Sequence, residues 1–294
     1  MARKLEDKFI TDLKEGELKI FLELVQKDDT LDLEIRENYI NIYYRGGSID
    51  RISCNKDGKY QHYFHPNYLG GKSIGEITTD KFPEMKRAMD LYEKKQIEKE
   101  FQQLIVRENN YSKILNDSDY YIADIEYQVG ANNRSDMIAI KLESESQKKK
   151  NPDNLELAII EVKYGDGSLK GKSGMIDHLE KAKDIDIKSL QKEMKECFNQ
   201  KHELGLFPDL EHQIKGFIKQ EKIDFIFILI NHDPAKSALG KVLKEIKEKK
   251  DNGDFPKLNI KFAVSNFAGY ALYKENIYSL EDFMEKFGKQ IYSK

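Results

Sequence analysis

The chain has 294 residues, 39% hydrophobic and 34% charged, with 49 Lys and Arg against 52 Asp and Glu for a formal net charge of −3. That length suits one large domain or two modest ones, and the near balance of charge argues neither for nor against nucleic acid, so any basic groove must be local. Cys54 and Cys197 are far apart and form no CxxC, which argues against a disulfide framework or a zinc knuckle.

The opening stretch MARKLEDKFITDLKEGE holds no apolar segment of signal-peptide length, and no window reaches the ~18 apolar residues of a membrane span. A reducing cytoplasm, with no membrane partner, is the expected setting. Leu18, Phe21, Leu22 and Val25 recur at helical spacing and predict a short amphipathic helix. Alternation then takes over at Leu31, Leu33 and Ile35, and again at Ile40, Ile42 and Tyr44. Turn chemistry follows at residues 45–48 and 55–58, then a third alternating run at Tyr60, His62 and Phe64. Residues 1–78 therefore read as a small helix-plus-antiparallel-sheet module, suited to targeting, substrate selection or assembly with a protein partner.

Thr79 or Asp80 is a candidate cap for one long helix running to about Arg107, with Pro83 in its first turn. Phe82, Met85, Met89, Tyr92, Phe101, Leu104 and Ile105 would be its buried stripe. Strands are expected at Tyr121 to Val129, Asp136 to Leu142 and Leu155 to Tyr164, the last two separated by the polar loop ESESQKKKNPDN. A glycine-rich loop (165–174) leads to mostly helix from Met175 to about His202. A helical patch around Ile214, Phe217 and Ile218 is expected before a strand at Ile223 to Asn231. A helix at Ala235 to Lys249, strands near Ile260 to Val264 and Gly269 to Tyr273, and a helix from Leu280 complete the reading. The fold class is α/β (α+β), a mixed central sheet flanked by helices.

Residues of alternate parity share a strand face, so Leu155, Leu157, Ile159, Glu161 and Lys163 lie together, and the apolar face ends in an acid and an amine about 7 Å apart. Asp136, Ile138, Ile140 and Leu142 share a face of the preceding strand, with the acid first. Pairing Leu142 with Leu155 sets Ile140 by Leu157, Ile138 by Ile159 and Asp136 by Glu161. A slip of one residue would turn one apolar face to solvent. Two adjacent carboxylates repel unless a proton or a cation lies between them, and a hard divalent ion with oxygen ligands, Mg²⁺ first and Mn²⁺ as its substitute, is the natural occupant. Lys163 beside it can orient water or stabilise negative charge on a phosphate. The combination suits metal-assisted phosphodiester hydrolysis.

Asp136 followed by Glu161-Val162-Lys163 resembles the signature of the PD-(D/E)XK nuclease superfamily: an acid on one core strand, then acid-x-lysine on the next. The resemblance covers roughly residues 80–275, within an expected nuclease-like domain of 79–294, and departs from the pattern in having Ser135 before Asp136. It implies a restriction-endonuclease-like core in which Asp136 and Glu161 bind Mg²⁺, the Val162 carbonyl adds a ligand and Lys163 is catalytic. Many members add a glutamate from the preceding helix. Glu100 is the candidate metal ligand here, although helical geometry does not separate it from Glu98. As a tripeptide, acid-x-lysine is uninformative, since Glu6-Asp7-Lys8 and Glu245-Ile246-Lys247 also match. Only Glu161 combines it with a buried strand end and an acid on the strand before. The competing reading is a buried salt bridge between Glu161 and Lys163 in a non-enzyme, a costly arrangement for little stability.

Gly167 to Ser173 nearly forms a phosphate-binding P-loop, but the first required glycine falls on Asp166. Lys170 and Lys172 become candidate nucleic-acid backbone contacts instead. A second GKS, at Gly71-Lys72-Ser73, has Pro66 in the first glycine's place. His62 and His65 read as packing or surface residues, and His178 as a solvated helix residue that could alternatively reach the site. Tyr39, Tyr43, Tyr44, Tyr60, Tyr63, Phe64 and Tyr68 read as sheet core with a tyrosine rim, with stacking of unpaired bases as the alternative. The expected function is a Mg²⁺-dependent nuclease acting on DNA rather than RNA, in restriction, repair or defence, with a homodimer as one arrangement for cutting two strands. The alternatives are an RNA-directed nuclease and a catalytically inactive nuclease-like binding or interaction protein.

Overall fold

A computed structural model describes residues 3–92, 97–110, 119–129, 133–141, 144–146, 149–150, 155–207, 213–231 and 237–265. Two helices open it, α1 (Asp7–Lys14) and α2 (Lys19–Lys27), each burying one stripe: Phe9, Ile10 and Leu13, then Phe21, Leu22 and Val25. Only α2 was expected. Strands β1 (Leu31–Ile35), β2 (Tyr39–Tyr44), β3 (Gly47–Cys54) and β4 (Tyr60–Tyr63) follow as an antiparallel sheet in that order. Tyr44 pairs with Gly47 across a two-residue turn in which Arg45 and Gly46 have φ of 48° and 76°. Such mirror-image turns match the twist of the flanking strands. Glycine is required at 46 on a second count: a Cβ there would lie 2.4 Å from the Lys99 carbonyl carbon.

The long helix expected from residue 80 is two helices, α3 (Phe82–Leu91) and α4 (Ile97–Asn110), with Tyr92 already extended at ψ 121°. The cause is tertiary. Helix α3 buries Phe82 and Met85 in the core beneath the first sheet, whereas α4 packs on the second sheet. The buried α4 residues are Gln102, Gln103 and Val106, and Leu104 is exposed, so the helix is rotated from the apolar stripe expected.

The remaining elements are β5 (Tyr120–Val129), β6 (Asn133–Lys141), a small ribbon of β7 (Ser144–Ser146) and β8 (Lys149–Lys150), β9 (Glu156–Tyr164), α5 (Met175–Ala182), α6 (Ile187–Glu203), β10 (Ile223–Ile230), α7 (Ser237–Asp251) and β11 (Leu258–Ser265). The second sheet has the order β11-β10-β9-β6-β5 and is mixed: β5, β6 and β9 run antiparallel to one another in turn, and β9, β10 and β11 are parallel. The mostly helical stretch expected from Met175 to about His202 is α5 and α6, the second begun by Asp186, whose side chain accepts from Ser189 N at 3.1 Å. The segment around Ile214 to Ile218 is not helical. Pairing with β10 begins only at Ala158, so the exposed start of β9 is covered instead by Phe217, bridged to Leu155, and by Ile218 N donating to Leu155 O at 3.0 Å. Leu142, the strand expected at 269–273 and the helix expected from 280 lie outside the described residues.

One continuous core runs from Leu5 through both sheets to Leu258, and a second, smaller one covers the opposite face of the mixed sheet with Met137, Ala158, Ile160 and Val162. Buried charges cross the seam between the first 78 residues and the rest. Arg36 and Arg3 bind Asp124 of β5 at 2.5 and 2.8 Å, and Lys201 of α6 binds Glu34 of β1 at 2.8 Å. Burial alone would lower the Lys201 ammonium, but Glu34 holds it well above its ordinary value. Among the described residues, no helix is long and apolar enough to cross a membrane.

Candidate active site

Strand β9 is buried on both faces because helices cover the sheet on each side, and its odd-numbered face carries Leu157 and Ile159 into the core shared with Met175 and Leu179 of α5. The pairing with β6 sets Ile140 by Leu157 and Ile138 by Ile159, ending at Met137 and Ile160. This is the register that the apolar alternation required. One step further, Asp136 comes beside Glu161. Its Oδ2 accepts from Val162 N at 2.8 Å, and its own N–H approaches Glu161 Oε1 at 3.4 Å. The Leu142–Leu155 pair of that register falls outside the described residues.

Glu161 and Lys163 are 1% and 3% exposed, which is rare for charged side chains without a compensating partner. Lys163 Nζ lies 3.7 Å from Glu161 Oε2. His178, in the first turns of α5, lies with Nδ1 3.0 Å from the same oxygen. That contact lacks hydrogen-bond alignment, so among the described residues Glu161 Oε2 is buried with no hydrogen-bond partner, and the other ring nitrogen, His178 Nε2, is likewise buried without one. His178 is therefore a buried neighbour of the acids, and its reading as a solvated residue is corrected. Its signal in sequence was a place early in the helix that follows the strand and loop.

The electrostatics follow from removal of these groups from water. Burial pushes the Glu161 carboxyl up to about 7, against the opposing pull of Lys163. Asp136 is raised well above its ordinary value by burial first and by the Glu161 charge second. Burial and then the Lys163 charge bring His178 down to about 4, so its imidazole is neutral at pH 7. Two acids whose ionisation is opposed by burial, beside an ammonium, mark a site short of positive charge.

Glu100 is not part of this cluster. Arg45 takes its carboxylate at 2.7 Å, on the side of α4 facing the first sheet. Glu98 is the helix glutamate at the strand end, accepting from Tyr164 N at 3.1 Å. Helical periodicity alone left these two open because the azimuth of α4 is set by its fit between two sheets. Glu126, opposite Asp136 in the β5–β6 register, has φ of 53°, unusual for a residue within a strand, and pairs with Lys99 and Arg134. Lys170 and Lys172 are exposed on the loop leading to α5. In that loop a short 3-10 helix, Asp166–Leu169, occupies the stretch compared with a P-loop, and Leu169 anchors it in the core. His62 binds Asp50 at 2.7 Å and His65 caps a turn through Asn67 N, so neither belongs to a metal pair.

Among the described residues, no three His, Cys, Asp or Glu side chains form a ready-made metal cage. The donor set still fits Mg²⁺, which is commonly held by one or two carboxylates and fills its remaining positions with water and substrate phosphate. Asp136, Glu161 with its unpartnered oxygen, and the Val162 carbonyl are oxygen donors of that kind. Comparisons with protein-family models, curated proteins and solved structures find no match for this chain.

Proposed function

We propose that this chain is a divalent-metal-dependent nuclease with a restriction-endonuclease-like core, acting on DNA, its first 78 residues serving to select or position the substrate. The observation that carries this reading is the convergence of Asp136, Glu161 and Lys163 at one end of a buried sheet face, with a carboxylate oxygen of Glu161 left without a hydrogen-bond partner. Burial of an unsatisfied carboxylate costs stability, and a bound cation offsets that cost.

Asp136 and Glu161 would hold Mg²⁺, which supplies Lewis acidity to a phosphate oxygen and makes water a better nucleophile. The Val162 N–H fixes Asp136 against rotation, so its second oxygen is presented in one direction. Lys163, on the same strand face and 3.7 Å from Glu161, would stabilise negative charge developing on the phosphoryl group. Glu98 ties the helix to the strand end beside this cluster, and neutral His178 packs on Glu161 without competing for a proton. Lys170 and Lys172, exposed on the loop before α5, would meet backbone phosphates.

The test is cleavage of duplex DNA, single-stranded DNA and RNA with Mg²⁺ and with EDTA. The expected result is Mg²⁺-dependent cleavage, strongest on DNA and absent in EDTA, with Lys163→Ala and Asp136→Ala each slower by at least ~10²-fold. Glu98→Ala should be impaired more than Glu100→Ala. Cleavage that persists in EDTA or in Lys163→Ala would overturn the proposal. Folded protein with no cleavage of any substrate would favour the inactive, binding-only alternative.

A further inference from the structure

Outside this site, a cavity of about 230 Å³ opens between the β2–β3 hairpin, the end of α3 and the first turn of α4. One wall is aromatic and held in place: Tyr68 stacks on Phe64 at 5.2 Å and meets Tyr92 edge-on at 5.0 Å. The floor is kept open by Gly47, where a Cβ would lie 2.6 Å from both Met89 Cε and Tyr68 Oη. Two of the three cations that line it are already neutralised, Arg45 by Asp90 and Glu100 and Lys99 by Glu126.

Arg51 is different. Among the described residues it has no carboxylate partner. Its guanidinium lies 5.5 and 5.9 Å from the ring centres of Tyr39 and Tyr63, and its Nε is 3.4 Å from Asn41 Oδ1. Asn41, only 6% exposed, lines the same cavity, and its Oδ1 has only long contacts, with Ser48 Oγ also at 3.4 Å. A rigid aromatic wall, an amide that can read an edge and an uncompensated guanidinium together suit a planar heterocycle joined to an anion. The charged lining argues against a purely apolar ligand.

We infer that this cavity binds a nucleotide, its base against Tyr68 and Tyr92 and its phosphate on Arg51. The inference rests on the nuclease reading only for the source of that nucleotide, a substrate strand. Lys99 lines the cavity while the adjacent Glu98 bonds the strand end at the acidic site, so consecutive residues of α4 link the two. A strand seated in the cavity would be held close to the proposed site of cleavage.

The experiment is fluorescence anisotropy of a labelled mixed-sequence single strand, in EDTA and with the Lys163→Ala protein, so that binding is read without chemistry. The four common mononucleotides are used as competitors. The expected result is saturable binding that weakens at least about tenfold in Arg51→Ala and in Tyr68→Leu, with circular dichroism unchanged. Arg51 is exposed, so its truncation leaves the fold intact. Competition by mononucleotides identifies a free nucleotide as the ligand, and binding of the strand alone identifies the strand; either supports the shared chemistry. Equal binding by wild type and Arg51→Ala, or no binding of any probe, would overturn the inference. In that case Mg²⁺ cleavage that depends on Lys163 would leave the nuclease reading standing; conversely, binding that depends on Arg51 without any cleavage would overturn the nuclease reading and leave this inference standing.

Discussion

Glu161 is held where water barely reaches it, and the cost of ionising it there is open to measurement. Burial raises its carboxyl from an ordinary 4.5 to about 7, so the folded chain binds this proton more tightly than the unfolded chain does. Its contribution to stability is therefore complete below about pH 4.5 and is lost as pH rises through 7, and Asp136 acts in the same direction. For Glu161 the loss is on the order of 3 kcal/mol. Chemical denaturation in EDTA should show stability falling between pH 5 and pH 8, less steeply in Glu161→Gln, with Mg²⁺ restoring the wild type at pH 8 but not at pH 5. An identical slope in the two proteins would contradict this account; other buried acids such as Glu34 contribute equally to both and cancel. Asp136, Glu161 and Lys163 were legible in the sequence because side chains alternate strictly along a strand. Glu98 and Glu100 were not separable, since two residues on a helix differ by an angle that only the docked orientation resolves.

Helix α4 shows what a single element decides. Gln103 accepts from Gly46 N at 2.7 Å and donates to Thr30 O and Tyr43 O, so a polar residue on the buried side of the helix holds the β2–β3 hairpin. An apolar-stripe argument cannot find such a face, which is why Leu104 was expected inside and lies outside. The same limit applies to α3 and α4: local propensity favoured one helix, and the need to pack on two sheets divides it. The register of β6 on β9 was readable because apolar positions at every second residue leave one acceptable pairing. On α6, Lys201 is predicted to be essential to the seam. Lys201→Met strips the buried Glu34 of its nearest cation and should destabilise the protein by ~3–5 kcal/mol in urea titrations. Adding Glu34→Leu should recover most of that loss. A neutral single variant would show that the pair is not coupled as described.

At the scale of the whole molecule, composition and alternation disclosed an antiparallel module followed by a mixed sheet with helices, but not that the two share a core. Leu5, Phe9 and Ile35 belong to the same buried cluster as Ile138, Phe198 and Phe225, and Arg3 and Arg36 reach Asp124 across the seam. Contacts so distant in sequence leave no local signal. Residues 79–294 expressed alone should accordingly lack a cooperative thermal transition, whereas the full chain should unfold in one. An independently folded fragment would show that the seam is dispensable. The central claim is that the mixed sheet holds Asp136 beside Glu161 to receive a divalent ion. Anomalous diffraction from crystals soaked in Mn²⁺ tests it most directly: a peak in contact with both carboxylates is predicted, and its absence at saturating Mn²⁺, with Glu161 still packed on Lys163 and His178, would contradict it.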